Sequence, residues 1–79
     1  HNLLIYPNPT SGQMTIDVSQ THGVLAISIT NAVGNEVDRL YKKSLAERFS
    51  ISLDGPSGVY TVTVIPNDGP SLRLRVLKQ

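Results

Sequence analysis

The sequence predicts an all-β fold, a small seven-stranded antiparallel β-sandwich of Greek-key, immunoglobulin-like type. Three observations carry that expectation. Seven short runs rich in Val, Ile, Leu, Thr and Tyr are separated by Gly, Pro, Asn and Asp at intervals of eight to twelve residues. Within most runs apolar and polar residues alternate, as they do on a half-buried strand. No apolar 3.6-residue period of useful length surrounds Lys42 to Glu47, so a helix is disfavoured there.

Leu3-Leu4-Ile5-Tyr6 reads as a short first strand that stops against Pro7-Asn8-Pro9. Proline has no amide donor, so two so close together exclude a central ladder and mark Pro7 to Gly12 as an exposed turn. In that turn Asn8, Thr10 and Ser11 are expected to supply local hydrogen bonds. Gln13 to Val18 is the second strand, with Met14, Ile16 and Val18 inward and Thr15 and Asp17 outward. The polar segment from Ser19 to Gly23 breaks the pattern. The third strand, Val24 to Thr30, alternates Leu25, Ile27 and Ile29 with Ala26, Ser28 and Thr30.

Asn31-Ala32-Val33-Gly34-Asn35 is a hairpin connection in which Gly34 is available for positive φ. Glu36 to Tyr41 follows as a fourth strand whose facing the pattern leaves open, because Val37 and Tyr41 share a side that Leu40 opposes. Lys42 to Glu47 is a polar loop or an irregular turn. Arg48 to Leu53 is the fifth strand, with Phe49, Ile51 and Leu53 inward. The turn Asp54-Gly55-Pro56-Ser57-Gly58 launches the sixth, which runs through Val59, Tyr60, Thr61, Val62, Thr63, Val64 and Ile65 to Pro66. One of its faces is nearly and the other wholly apolar, the mark of a central strand. Pro66 to Pro70 turns the chain into Leu72-Arg73-Leu74-Arg75-Val76, a strictly alternating last strand.

Composition narrows the function. A chain of 79 residues makes one domain, 1–79, which buries only about 60% of its unfolded surface. No cysteine is present, so disulfides, thiolate metal sites and thiol catalysis are excluded. A net charge of +1 and 5% aromatic residues argue against nucleic acid as a partner. Residues 1–38 contain no Lys or Arg, and all seven basic residues follow, giving the C-terminal half a mildly positive face. The longest apolar run is far below the roughly 20 residues of a membrane-spanning helix. With no basic-then-apolar leader at its start, the sequence reads as one domain of a longer protein.

No catalytic constellation emerges. His1 and His22 have no partner at ligand spacing, and Asp54-Gly55 and Asp68-Gly69 are ordinary turn formers. No calcium loop, nucleophile elbow or phosphate loop is present, so no catalytic residue, metal or cofactor is assigned. Tyr6, Tyr41 and Tyr60 fit packing at strand ends or inside the sandwich better than a sugar-stacking platform. What remains is the last strand. Its charges protect an edge from stray pairing or serve as a handle for a receptor, and on sequence physics alone the protected edge is favoured.

Three motifs shift that balance. Ile5-Tyr6-Pro7-Asn8-Pro9-Thr10-Ser11-Gly12 resembles the opening Tyr-Pro-Asn-Pro-x-x-Gly of the type A C-terminal sorting domains of the type IX secretion system. Ile27 to Val37, with Gly34 in its turn, is similar to the family's middle strand–turn–strand, although Asn35 stands where a basic residue is common. Ile51-Ser52-Leu53 through Pro56-Ser57-Gly58-Val59-Tyr60-Thr61-Val62 resembles its Pro-x-Gly-x-Tyr strand, with Gly55 in place of the usual apolar residue. The resemblance implies a non-catalytic address label. Such a label is carried across the outer membrane by translocon and shuttle proteins and then removed by a sortase-like peptidase. Its cargo would pass through the periplasm to the cell surface or beyond, without the domain inserting into a membrane. On that implication Arg73, Arg75, Val76, Leu77 and Lys78 form the strand a receptor reads, and Gly58, Val59 and Tyr60 hold its neighbour. The competing reading is an accessory carbohydrate- or protein-binding sandwich. Exposed edges also allow a weak homodimer by strand pairing.

Overall fold

The computed structural model describes residues 2–19, 24–43, 48–67 and 69–79. The expectations for His1, His22, Asp68 and the loop around Leu45 and Ala46 fall outside the described residues. Seven strands are present: β1 (Asn2–Tyr6), β2 (Gln13–Ser19), β3 (Val24–Thr30), β4 (Glu36–Lys43), β5 (Arg48–Ser52), β6 (Gly58–Pro66) and β7 (Leu72–Lys78). They form two antiparallel sheets, β1-β2-β5 and β4-β3-β6-β7. Consecutive pairs β1–β2, β3–β4 and β6–β7 are hydrogen-bonded, whereas β5 returns to pair with β2, which is the Greek-key connection. The all-β sandwich expected from the turn spacing is the one formed.

Alternation produces the core. Ile5, Met14, Ile16, Val18, Ile51 and Leu53 from one side meet Ile27, Ile29, Tyr60, Val62, Val64 and Val76 from the other, all buried. Burying an aliphatic side chain contributes about 1.5–3 kcal/mol, so this set is the main source of stability in a chain without disulfides. Strand β6 lies between β3 and β7, as its composition predicts. Its Val59-Thr61-Thr63-Ile65 side is the outer face of the four-stranded sheet and is only partly covered.

Two local features go beyond the alternation pattern. On β4, Leu40 sits opposite Ile27 and packs on the core, while Tyr41 points outward, opposite Ala26. A register shift at Ile29/Thr30 puts Thr30 opposite Glu36 and Ile29 opposite Asp38, leaving Val37 as the extra residue of a bulge. That bulge explains why β4 shows no clean period of two. At the tip of the β3–β4 hairpin, the Asn31 side-chain oxygen accepts the Val33 and Asn35 amides at 3.1 and 3.0 Å. Gly34 there adopts φ 96°, the conformation its place in the turn predicts.

Candidate functional site

The motif following β1 does not stay local. Asn8 places its side-chain amide against the outer edge of β7: Nδ2 donates to the Arg75 carbonyl at 3.1 Å, and Oδ1 accepts the Leu77 amide at 3.1 Å. A primary amide carries both a donor and an acceptor, so here it stands in for a strand's peptide group. Thr10 continues the pairing with its backbone. Its amide donates to the Leu77 carbonyl at 2.8 Å, its carbonyl accepts the Gln79 amide at 2.9 Å, and Thr10 and Lys78 form a parallel bridge. The edge of β7 is therefore occupied from the Arg75 carbonyl to the Gln79 amide. Both X-Pro bonds of the motif, Tyr6-Pro7 and Asn8-Pro9, are cis.

Thr10 is 1% exposed, and its hydroxyl organises the turn beneath the clamp. Oγ1 donates to the Gln13 carbonyl at 2.7 Å and accepts the Gly12 amide at 3.0 Å. The Gly12 carbonyl in turn accepts the Leu53 amide at 2.7 Å, joining the motif to the end of β5. From β7 the Lys78 ammonium reaches back and donates to the Gly55 carbonyl.

Gly55 belongs to a second built feature. The Tyr60 hydroxyl, at the start of β6, donates to the Pro56 carbonyl four residues upstream at 2.6 Å. This is the tyrosine-corner arrangement of immunoglobulin-like sandwiches. Gly55 has φ 121°, and a Cβ there would lie 3.0 Å from the Tyr60 hydroxyl oxygen, so both backbone and space favour glycine.

The outer face of β6 and β7 is different in kind. Arg73 and Arg75 are exposed on alternate positions of β7, with Leu77 next along the same side. Neither arginine has a carboxylate partner among the described residues, where the ion pairs are Arg39–Glu36 and Arg48–Asp17. Thr30, Thr61 and Thr63 join the two arginines around a shallow groove of about 310 Å³. Leu77 and Val59 are paired across the strands, each 43% exposed, and form an apolar end to that face. Across the sheet, Glu36 accepts from Arg39 and Ser28, each bond 2.9 Å, and these bonds hold its carboxyl below the usual range. Arg39 is correspondingly held charged by Glu36, with Tyr41 adding to the effect. The one carboxylate in this network is thus already neutralised.

The residues singled out from sequence separate into roles. Arg73, Arg75 and Leu77 share the exposed face of β7, whereas the Val76 side chain is buried in the core and Lys78 is tied to Gly55. Tyr6, Pro7, Asn8, Pro9 and Gly12 form the clamp segment, while Pro56, Gly58, Val59 and Tyr60 lie at the corner and the start of β6. Gly34 lies in the β3–β4 hairpin tip, whose Asn31, Ala32 and Val33 line a concavity together with Pro56 to Tyr60. The local role expected of Asn8 is corrected: its partners lie 67 and 69 residues away. Nothing in a single sequence signals that a threonine between Pro9 and Ser11 is buried. The tyrosine corner was legible in principle from a Tyr at the opening of the sixth strand.

The three tyrosines do not make one platform. Tyr60 is buried, Tyr41 is 65% exposed on β4, and Tyr6 ends β1 on the other sheet. Asp38 and Asp54 border a concavity of about 330 Å³, but no group of three metal-binding side chains occurs among the described residues.

No curated protein matches the chain. A family model described as the secretion system C-terminal sorting domain matches residues 4–78. That span takes in the clamp segment, the tyrosine corner and the arginine face together. The family is one of cargo signals, and the match implies engagement with the type IX secretion machinery and export to the outer-membrane surface or the extracellular space. The chain belongs to the C-terminal sorting domains of the type IX secretion system.

Proposed function

We propose that the secretion machinery reads this domain on the exposed face of β7, through Arg73, Arg75 and Leu77. The observation that carries the reading is the clamp. Asn8 and Thr10 occupy the backbone edge of β7 from Arg75 to Gln79, so a receptor meets that half of the strand through its side chains. Val76 contributes packing and Lys78 anchors the strand end, which leaves the arginines and Leu77 as the groups presented. Gly58, Val59 and Tyr60 support the strand from behind through the β6–β7 register. In this reading the folded domain passes from the periplasm through the translocon with shuttle proteins, and a sortase-like peptidase then removes it from its cargo.

A periplasmic reporter carrying this domain at its C-terminus is expected outside the cell. Deleting Val76 to Gln79, or replacing Arg73 and Arg75 together, should retain it inside. Export unchanged by both alterations would overturn the assignment to β7.

A further inference from the structure

The clamp covers only part of an edge. Residues whose peptide groups point away from β6 are the odd-numbered ones, as the outward Arg75 carbonyl, Leu77 amide and carbonyl, and Gln79 amide establish. By the same alternation the Arg73 amide and carbonyl and the Arg75 amide face outward as well. None of these three groups has a hydrogen-bond partner among the described residues. The last strand thus offers a short run of backbone groups without hydrogen-bond partners, bounded on one side by Asn8, with β1 close beside the strand.

Charge decides what that edge accepts. Arg73 and Arg75 stand two residues apart, about 6.8 Å along a strand, and no carboxylate among the described residues neutralises them. A second copy of the chain pairing through β7 would bring arginine against arginine, and like charges directly opposed disfavour a strand pair. An extended segment with carboxylates at alternate positions meets the opposite condition. Its backbone completes the open peptide groups while its acidic side chains reach the two guanidiniums, and Thr61 and Thr63 line the adjoining groove.

Building on the reading of β7 as the recognised strand, we propose that the partner contributes an extended acidic segment. It has carboxylates two residues apart and adds to the open Leu72–Arg75 half of the β7 edge. The clamp sets its length: Asn8 stops the added strand at the Arg75 carbonyl, so three to five partner residues are engaged, about 10–17 Å of strand. Main-chain bonds provide a general grip, and the carboxylate spacing provides the selection.

The test uses the 79-residue chain and a capped heptapeptide with Glu and Val alternating, followed by amide NMR titration. Shifts concentrated at Ser71 to Arg75 are expected. The Arg73→Glu/Arg75→Glu variant should bind about tenfold more weakly or worse, two exposed ion pairs having been lost. A peptide with Lys in place of Glu should bind that variant and not the parent. Because both arginines are exposed, the variant should unfold at the parent's urea midpoint; should it not, Arg73→Gln/Arg75→Gln serves in its place.

Several outcomes overturn the proposal: no binding, equal binding of a peptide whose Glu residues are adjacent, or shifts centred on the β1-β2-β5 sheet. So does binding to phosphatidylglycerol vesicles with none to the peptide. Export that persists in a variant with lost peptide binding overturns instead the sorting role of this face, leaving the acidic-strand site intact.

Discussion

Replacing Thr10 with valine tests whether the buried hydroxyl holds the clamp together. Valine keeps the shape of the side chain and its β-branch, so the space at this 1%-exposed position stays filled. What disappears is the bond to the Gln13 carbonyl at 2.7 Å and the acceptor for the Gly12 amide at 3.0 Å. A made hydrogen bond contributes about 1 kcal/mol, and a buried donor left without an acceptor costs about 1–3 kcal/mol. The added methyl returns about 0.8 kcal/mol through burial. The net loss is therefore about 2 kcal/mol, against a total stability of about 4–12 kcal/mol for a chain this long. In a domain of this size that lowers the melting midpoint by about 8–16 °C. Urea titration followed by circular dichroism reads it as a lower midpoint at unchanged slope. Thr10→Ser, which retains the hydroxyl and loses only the methyl, should recover roughly half the loss. A valine variant within about 0.5 kcal/mol of the parent, or a serine variant as unstable as the valine one, would refute the reasoning.

Other perturbations probe the remaining contacts. Asn8→Ala removes both bonds to the β7 edge at a solvent-accessible place, so a loss of about 1–2 kcal/mol is expected. Its distinguishing readout is amide hydrogen exchange, faster at Leu77 and unchanged at Val76, whose amide faces β6. Tyr60→Phe deletes the bond to the Pro56 carbonyl and should lower stability by about 1–2 kcal/mol in the same denaturation assay. Gly55→Ala meets both the positive φ and the Tyr60 hydroxyl, so a further drop of about 1–3 kcal/mol is expected. Combining it with Tyr60→Phe should cost less than the sum of the two, a non-additivity that a double-mutant cycle measures. For Glu36, the folded state holds the carboxyl below its ordinary range. Its contribution is present above the unfolded pKa and fades as pH falls through the folded one, so Glu36→Gln should flatten the acid limb of the stability–pH profile.

Most of the architecture was legible in the sequence because a sandwich is written in short-range signals. Alternation on Met14, Ile16 and Val18, or on Tyr60, Val62 and Val64, directly gives the face that packs. Prolines 7 and 9 mark the end of β1 for an equally local reason, the missing amide donors. Signals failed where a residue's role depends on a distant segment. Asn8 reads as a turn former because its side chain suits turns, but its partners arrive 67 and 69 residues later. Val76 lies in a basic, strictly alternating strand, and belonging to that strand says nothing about which of its residues a partner touches. The bulge at Val37 hid the facing of β4, since one inserted residue reverses the apparent parity.

The residues that carry the family resemblance therefore do not act as one surface. Asn8, Thr10 and Gly12 from the first motif and Gly55, Pro56 and Tyr60 from the third converge on one corner, around the end of β7. Each makes a contact that fixes backbone: an amide completing a strand edge, a hydroxyl closing a turn, a phenol bracing a corner. None of these side chains is needed as a contact for a receptor on the outer face. In this chain the motif residues hold the last strand in place. The outer face of β7 carries two exposed arginines followed by a leucine, on a strand whose far end is secured by the chain's own N-terminal segment. Loss of export through Asn8 or Thr10 should accordingly track loss of β7 order, whereas loss through Arg73 or Arg75 should leave the fold, and the Leu77 amide protection, at parent levels.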